Sequence, residues 1–457
     1  MNTSYAPRQW SSRFAFLMAA IGSAVGLGNI WRFPYLAGEN GGGAFIAIYV
    51  LTLTCIALPI LIAEITVGRM GRQSPINTMR RLVAEHRALR IWMLIGWGST
   101  IGAFIVLSYY SVIGGWTLKY IELAVTGAFA GDTAASSAEQ FGVFVGSPLQ
   151  AGFWHTVFIG ATIAIVAGGV SAGIERSVVI LMPLLFVLLV GLALYAVTTQ
   201  GFGEAMRFMF AFKLEDVTPG TVLAAIGQGF FSLSVALGAM ITYGAYLEQD
   251  VSIGRSAIII AVLDTIVAIT AGIAIFPLVF SFGLEPSSGP GLTFITLPIA
   301  FGSIGGGVVI GAVFFLLLAV AALTSAISLL EPLVAWAEET YQITRRRLAI
   351  MVGAAGWLVG FATVFSFNYW SDFFPLAPLG LMVDKTIFDV FDFSVSNIVM
   401  PVVGLMLALF AGWALTRETV VAALGAERAR WFSFWRFMLR YIAPLGVISI
   451  FVANVLM

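Results

Sequence analysis

The sequence predicts an all-α protein that crosses a membrane many times. Of its 457 residues, 60% are hydrophobic and only 10% are charged, whereas soluble domains contain roughly 25% charged residues. A membrane-spanning helix needs about 20 mainly apolar residues, and the sequence contains eleven such runs. The runs are continuously apolar, which is typical of helices and not of the alternating strands of a membrane barrel.

Each run is long enough to cross a membrane once. The first is too long for a secretory signal, carries Arg32 near its far end and is followed at once by the second. The loops leave little room for a soluble domain, so we predict one transmembrane domain over residues 1–457. The predicted spans are 13–37, 44–68, 91–124, 153–171, 177–200, 221–246, 253–282, 305–340, 346–366, 394–416 and 437–456.

The basic residues predict how the chain is oriented. If the loops alternate between the two sides and the N-terminus is cytoplasmic, 18 of the 23 Lys and Arg residues lie in the cytoplasm and five on the other side. This excess is the expected positive-inside bias. An odd number of spans then places the C-terminus outside, which is the periplasm if the protein lies in a bacterial inner membrane.

Other features of the composition argue against several classes of protein. The 23 acidic residues balance the 23 basic ones, so no net field would attract nucleic acid. A single cysteine, Cys55, excludes an internal disulfide. His86 and His155 have no Cys or His nearby in the sequence, which argues against the usual kind of zinc site.

Two spans are interrupted by small and polar residues. The first contains Gly22, Gly26, Gly28 and Asn29, and the sixth contains the stretch 232–238. These positions correspond if spans 1–5 and 6–10 form two halves, which predicts a transporter with a substrate site near the middle of the membrane. Glycine and serine also serve close helix packing, but the matched positions and Asn29 favour a binding site. The halves would cover approximately residues 10–200 and 218–416, with 437–456 as an extra helix.

Several motifs resemble those of the neurotransmitter:sodium symporter family, in particular its bacterial amino-acid transporters. The resemblance implies two inverted five-helix repeats with unwound helices 1 and 6. It also implies a symporter that uses sodium to take up a small, hydrophobic L-amino acid by alternating access. The matching segments are Trp10–Arg13, Gly22–Pro34, Glu39–Phe45, Tyr109–Tyr110, Gly115–Leu118, Gln228–Ser234, Phe294–Pro298, Leu323–Ser325 and Asp392–Phe393.

The resemblance implies two sodium sites. Sodium prefers oxygen ligands, and an unwound helix supplies them as free carbonyls. The first site would use Gly22, Val25, Ala321, Thr324 and Ser325, although Thr and Ser hydroxyls also commonly bond to the preceding helical turn. The second site would use Ala24, Asn29, Ser232 and Asp264, together with the carboxylate of the substrate.

Asp264 departs from the family pattern, in which many members have Asn. An acid inside a span is costly unless it is paired, so it is a candidate functional residue. Animal members bind chloride beside this sodium through Tyr, Gln and two Ser; Tyr49, Gln228 and Ser232 match, but the fourth position is Ala268. Asp264 would supply the negative charge, so we expect that chloride is not required.

The substrate carboxylate is expected at the break in helix 1, where free N–H groups and the helix dipole favour an anion. Family members that carry amines have Asp where this chain has Gly26, so Gly26 favours a zwitterionic amino acid. Leu237 stands where the leucine-carrying relative has Phe, and Ala236 replaces a common Gly. The substrate contacts implied by the resemblance are Ala24, Gly26, Gly28, Val106, Tyr110, Phe231, Ser232, Ser234, Leu237, Ser325 and Leu329.

Alternating access needs a gate at each end of the pathway. The resemblance implies an outer pair formed by Arg32 and Asp392, with Tyr110 and Phe231 as a lid. It implies an inner gate of Trp10, Tyr246, Glu339 and Arg8, although Arg8 lies two residues before Trp10 and relatives have the arginine three before. Glu39 and Glu64 also match, and we expect them to be structural.

Two alternatives remain open at this point. The same fold could carry taurine or another small non-α amino acid, which Leu237 also suits. The protein could also be a sodium-dependent amino-acid sensor with little transport. An enzyme has least support, because no nucleophile and base or metal cluster is apparent. The expected partners are the substrate, sodium and membrane lipid, and the oligomeric state is open.

Overall fold

The computed structural model describes residues 9–284, 291–341, 343–425 and 431–456, and within these ranges it is helical without β-strands. The helices that correspond to the eleven predicted runs are labelled α1 to α11 in chain order. Two of them, α1 and α6, consist of two pieces. The bounds are α1, Arg13–Ala24 and Gly28–Glu39; α2, Gly43–Gly71; α3, Arg90–Val125; α4, Pro148–Ala167; α5, Val170–Val197; α6, Pro219–Ser232 and Ala239–Ala245; α7, Ile253–Ser281; α8, Gly307–Tyr341; α9, Arg345–Ser366; α10, Ile387–Ala414; and α11, Trp431–Val452.

Shorter helices lie in the connections. They are Pro75–Glu85, Ala134–Gly146, Phe202–Phe210, Leu292–Ser303 and Arg417–Leu424. Two of them begin with Thr residues that cap the first turn, because Thr133 and Thr416 accept hydrogen bonds from backbone N–H groups. These connections are ordered helices instead of the simple loops that the sequence suggests.

Nine of the described helices are long and apolar enough to cross a membrane, and α1 is a tenth if its two pieces, bent by 49°, form one span. The two pieces of α6 have only 14 and 7 residues, so neither meets this criterion by itself. The fourth predicted span also differs, because α4 ends at Ala167 and Gly169, at φ 90°, separates it from α5.

The predicted interruptions of helices 1 and 6 are present. In α1, Val25 leaves the helix with φ −75° and ψ 104°. In α6, Ser234, Ala236 and Gly238 have φ values of 49°, 71° and 75°. Non-glycine residues rarely adopt this left-handed region, so tertiary contacts must hold the break. Glu64 of α2 makes one of them, because its Oε2 atom accepts from the Ala236 N–H at 3.2 Å.

The breaks in α1 and α6 lie inside the bundle, where Val25 and Ala236 are fully buried. In the most apolar stretch of α2 and of α8, 61% of the residues are buried by other parts of the protein, against 28% in α5. The two helices α3 and α8 pack along one another and α1 packs on α8. The unwound segments therefore face buried helices that supply polar side chains.

Candidate functional site

Hydrogen bonds join the two breaks to each other and to α8. The Ser234 hydroxyl in α6 donates to the Ser23 carbonyl in α1 at 2.8 Å. The Ser23 hydroxyl donates to the Ser328 hydroxyl of α8, also at 2.8 Å. Carbonyl groups at the end of a helix receive no hydrogen bond from the helix itself. Side chains from neighbouring helices supply the missing donors here.

The residues of the first predicted sodium site lie together between α1 and α8. The Ser325 hydroxyl oxygen is 3.3 Å from the Gly22 carbonyl oxygen and 3.5 Å from that of Val25. The Thr324 hydroxyl donates to the Ala321 carbonyl at 3.1 Å. Thr324 thus makes the bond expected of a structural threonine, whereas Ser325 reaches across to the break in α1.

A second polar cluster surrounds Asp264 of α7. Asn29, Tyr49, Ser232 and Asp264 are all fully buried. The Asp264 carboxylate accepts from Asn29 Nδ2 and from the Ser232 hydroxyl, both at 2.7 Å, and Tyr49 lies 3.2 Å away. A buried acid costs free energy unless such donors are present. The structure therefore brings three of the four predicted ligands of the second sodium together, and Ala24 is buried in the neighbouring turn.

Asn29 connects this cluster to the break in α1. Its Oδ1 atom accepts from the Gly26 N–H at 3.2 Å, while its Nδ2 atom faces Asp264. An amide nitrogen only donates. A cation held by Asn29 and Asp264 would thus need the carboxamide of Asn29 to turn its oxygen toward the acid.

Two of the three residues that match the family's chloride position are directed at the acid. Tyr49 and Ser232 contact the Asp264 carboxylate, and Gln228 donates to the Gly28 carbonyl at 2.7 Å. Ala268 is buried and has no polar side chain. The carboxylate thus receives the hydroxyl groups that would otherwise face an anion.

Two glycines allow aromatic and hydroxyl side chains close to the α1 break. The Tyr110 hydroxyl accepts from the Leu27 N–H at 3.1 Å. A Cβ atom on Gly26 would lie 2.8 Å from the Tyr110 oxygen and closer still to Ser325, and one on Gly28 would lie 2.9 Å from the Phe231 ring. Five of the predicted substrate contacts therefore meet here. The apolar candidates Val106, Leu237 and Leu329 are also buried.

A cavity of about 250 Å³ adjoins this position at the Arg32 end of the bundle, and Tyr110, Phe231, Arg32 and Asp392 line it. The Arg32 guanidinium lies 4.6 Å from the centre of the Phe231 ring. Asp392 accepts instead from Tyr109 at 3.2 Å. Among the described residues, no ion pair joins Arg32 to Asp392. The predicted outer pair thus borders the cavity without closing it.

The opposite end is closed around Trp10. Its backbone N–H donates to the Tyr246 carbonyl at 3.2 Å and its indole N–H to the Tyr243 carbonyl at 3.1 Å. The Tyr246 hydroxyl donates to Glu331 of α8 at 2.8 Å, and Glu331 forms an ion pair with Arg345 of α9. This network ties the segment before α1 and the end of α6 to α8 and α9.

Glu339 is the acid that the resemblance implies for the inner gate. It accepts from the Ser74 N–H and from Asn77 Nδ2, both at 2.7 Å, and so holds the start of helix Pro75–Glu85. The acid that contacts Tyr246 is Glu331, which sequence reasoning missed. An acid within the eighth apolar run was the available signal, the same one that singled out Asp264. Arg8 lies outside the described residues.

Comparison with known proteins identifies the family. A sequence profile of the sodium:neurotransmitter symporter family matches residues 7–140 and 150–457. The chain belongs to this family. The sodium:neurotransmitter symporters include relatives of nearly the same length, so the resemblance extends over the whole transporter.

The similar proteins are sodium-dependent transporters. The sodium-dependent transporter YhdH of Bacillus subtilis is 38% identical over 448 residues, which cover 97% of each chain. A sodium-dependent transporter of Haemophilus influenzae is 32% identical, and the match covers 99% of this chain and 100% of that protein. The crystal structure of MhsT in complex with L-phenylalanine has 41% identity and a TM-score of 0.89, covering 97% of this chain and 99% of that one. This sodium:neurotransmitter symporter is therefore a sodium-dependent membrane transporter.

Proposed function

We propose that the protein takes up a small, hydrophobic L-amino acid together with sodium by alternating access. The observation that carries the proposal is the pair of facing breaks in α1 and α6, flanked by two oxygen-rich clusters. Eleven spans would form two inverted five-helix repeats, at approximately residues 10–200 and 218–416, and an extra helix at 437–456. The protein would lie in a bacterial inner membrane with a cytoplasmic N-terminus.

Two sodium ions would bind beside the breaks. Gly22, Val25, Ala321, Thr324 and Ser325 offer three carbonyl and two hydroxyl oxygens to the first. The second would lie at Ala24, Asn29, Ser232 and Asp264. The substrate carboxylate would complete the set of oxygen ligands around the second sodium. The binding of sodium and the binding of substrate would therefore depend on each other.

Chloride would not be required in this cycle. The Asp264 carboxylate already faces Tyr49 and Ser232, so its negative charge would lie beside the second sodium. A chloride ion placed there would be repelled by that charge.

An amino acid fits the α1 break better than an amine. Tyr110 and Ser325 lie so close to Gly26 that any side chain there, including the Asp of amine carriers, would displace them. N–H groups at the break and a sodium ion would bind the substrate carboxylate, and Val106, Phe231, Leu237 and Leu329 would contact its side chain. MhsT in complex with L-phenylalanine is consistent with an apolar substrate.

Alternating access would proceed from the arrangement described above. The network of Trp10, Tyr246, Glu331 and Arg345 would open to release substrate into the cytoplasm. Arg32, Asp392, Tyr110 and Phe231 would close over the substrate at the other end. Both sets join helices that must separate when the pathway changes sides.

Thermal unfolding of the purified protein tests this proposal. A ligand that binds only the folded state raises the unfolding temperature. We expect stabilisation by one group of apolar α-amino acids in sodium chloride and equally in sodium gluconate, but none in choline chloride. An equal response in choline would contradict sodium coupling. Loss of the response in gluconate would contradict chloride independence.

Two other functions have distinct outcomes. A carrier of taurine or another non-α amino acid would be stabilised by that compound and by no α-amino acid. A sensor would bind an amino acid but would not exchange it across the membrane. Counterflow in proteoliposomes distinguishes a sensor from a transporter, since only a transporter exchanges labelled substrate for internal substrate.

A further inference from the structure

The junction between α10 and α11 carries arginines that the proposed transport cycle does not use. Arg436 Nη2 donates to the Gly412 and Leu415 carbonyls at 3.2 and 3.0 Å, and Arg440 Nε donates to Gly412 at 2.5 Å. The last carbonyls of a helix lack partners and attract positive charge. These bonds account for the two arginines as caps of α10.

The caps leave donors over. Arg436 is 92% buried, since its exposed fraction is 8%. Its Nε and Nη1 atoms are buried and have no hydrogen-bond partner among the residues that the structure describes. A guanidinium has five N–H groups, and buried donors without partners are costly and rare. Arg436 can therefore donate hydrogen bonds to a further acceptor.

The charge of the junction is positive. Arg417 and Arg436 lie on the Phe432 ring, 5.8 and 5.9 Å from its centre, and Arg440 is close enough to Arg436 to repel it. Glu418 is an acid in this group; its own backbone N–H and Thr416 lower the pKa of its carboxyl, so it is ionised. Among the described residues of the junction, three arginines against one glutamate favour an anion with several acceptor oxygens.

The surroundings of these arginines are apolar and face outward. Trp413, Phe437 and Tyr441 are 51%, 50% and 45% exposed. The Arg440 guanidinium lies 4.6 Å from the Trp413 ring centre, and Trp413 contacts Tyr441 with ring centres 5.6 Å apart. Exposed Trp and Tyr beside the end of an apolar helix are typical of the membrane interface.

We propose that the α10–α11 junction binds an anionic phospholipid, with its phosphate on Arg440 and Arg436 and its acyl chains along Phe437 and Tyr441. Arg440 is partly exposed and would meet the phosphate first, and Arg436, four residues before it in the same helix, has two donors without a described partner. A soluble phosphate would gain nothing from the exposed aromatic surface, so the site favours a lipid. In the orientation proposed above, the junction faces the cytoplasmic leaflet, where anionic lipids attract basic residues.

Native mass spectrometry of the full chain in detergent tests the proposal. The probes are dioleoyl phosphatidylglycerol, dioleoyl phosphatidylcholine and inorganic phosphate. Wild type should retain phosphatidylglycerol in preference to phosphatidylcholine. The R440Q variant should bind phosphatidylglycerol about fivefold more weakly and R436Q/R440Q about thirtyfold. The control R87Q/R90Q also removes two exposed arginines from the basic side of the protein and should change binding less than twofold.

Three outcomes would overturn the proposal. Unchanged phosphatidylglycerol binding in R440Q and R436Q/R440Q would show that these arginines do not hold the lipid. An equal loss in R87Q/R90Q would show that total charge alone attracts the lipid. Equal binding of inorganic phosphate and phosphatidylglycerol would show that the site recognises a simple anion and not a lipid. The unfolding temperature without lipid shows whether each variant is folded. If R436Q/R440Q does not fold, the result for R440Q alone tests the proposal.

Discussion

At the level of single residues, the charge of Asp264 governs the ion requirement that we propose. Its carboxylate lies in a fully buried cluster and contacts Asn29, Tyr49 and Ser232. Each of these neighbours is polar but uncharged, so the acid supplies the negative charge of the cluster. Replacing it changes the electrostatics of the second sodium site with little change in volume.

We predict that D264N makes substrate binding depend on chloride. Without the carboxylate, the hydroxyl groups of Tyr49 and Ser232 are free to donate hydrogen bonds to a chloride ion. The sodium ion loses its negative partner and needs that chloride instead. Sodium-dependent binding of the amino acid should fall at least about tenfold in gluconate and recover partly in chloride. Thermal stabilisation in the two salts measures this. D384N is the control, because the Asp384 side chain is 74% exposed; equal behaviour of both variants would contradict the role of Asp264.

Gly26 leads to a second prediction at this scale. A methyl group there would collide with Ser325 and the Tyr110 hydroxyl, so G26A should abolish detectable substrate binding. G227A is the matched control, because no atom lies within 4 Å of its new Cβ. Binding by G26A at the wild-type level, measured with labelled substrate in sodium, would refute the proposed carboxylate position.

At the level of elements, the break in α6 depends on left-handed backbone at three nearby residues. Gly238, at φ 75°, immediately precedes the second piece of α6. A Cβ there would also lie 3.0 Å from Pro75 Cγ and 3.1 Å from the Ser99 hydroxyl. Glycine is therefore required by both backbone conformation and space.

We predict that G238A lowers the free energy of unfolding by about 1–2 kcal/mol, since the left-handed conformation costs about that much for a residue with a Cβ. G191A in the middle of α5 meets no atom within 4 Å and should be neutral or stabilising. Unfolding in detergent measures both variants. Equal stability of G238A and wild type would mean that the break does not need glycine here.

At the level of the whole molecule, the Glu331–Arg345 pair joins α8 to α9 and, through Tyr246, to the end of α6. The Glu331 side chain is fully buried and that of Arg345 is 10% exposed. Arg345 also donates to the Val166 carbonyl at 2.9 Å, which extends the network to α4. The pair thus stabilises the closed arrangement around Trp10.

We predict that E331Q destabilises the protein by about 3 kcal/mol, because it removes one partner of a buried ion pair. The double variant E331Q/R345Q should lose less than the sum of the single variants, since neither Glu331 nor Arg345 then remains charged without the other. R346Q, at an exposed neighbouring position, should change stability by less than about 0.5 kcal/mol. Additive losses in the double-mutant cycle would indicate that the two charges do not interact.

The sequence alone determined the helical class, the broken first and sixth spans and the presence of an acid, Asp264, inside the seventh span. These properties are local: apolar length marks a span, clustered Gly and Ser mark a break, and an acid in an apolar run is costly wherever it lies. The family motifs likewise place Ser325 beside Gly22 and Val25, and the structure brings these residues together.

Only the tertiary structure decided which acid closes the Trp10 end. Glu331 and Glu339 lie two turns apart on α8, but one meets Tyr246 and Arg345 while the other caps helix Pro75–Glu85. It also decided that Arg436 caps the end of α10 through Nη2 while its Nε and Nη1 atoms have no partner among the described residues. Such pairings depend on how α6, α8, α9 and α11 cross, and crossing geometry comes from packing between distant segments, which local sequence patterns do not specify.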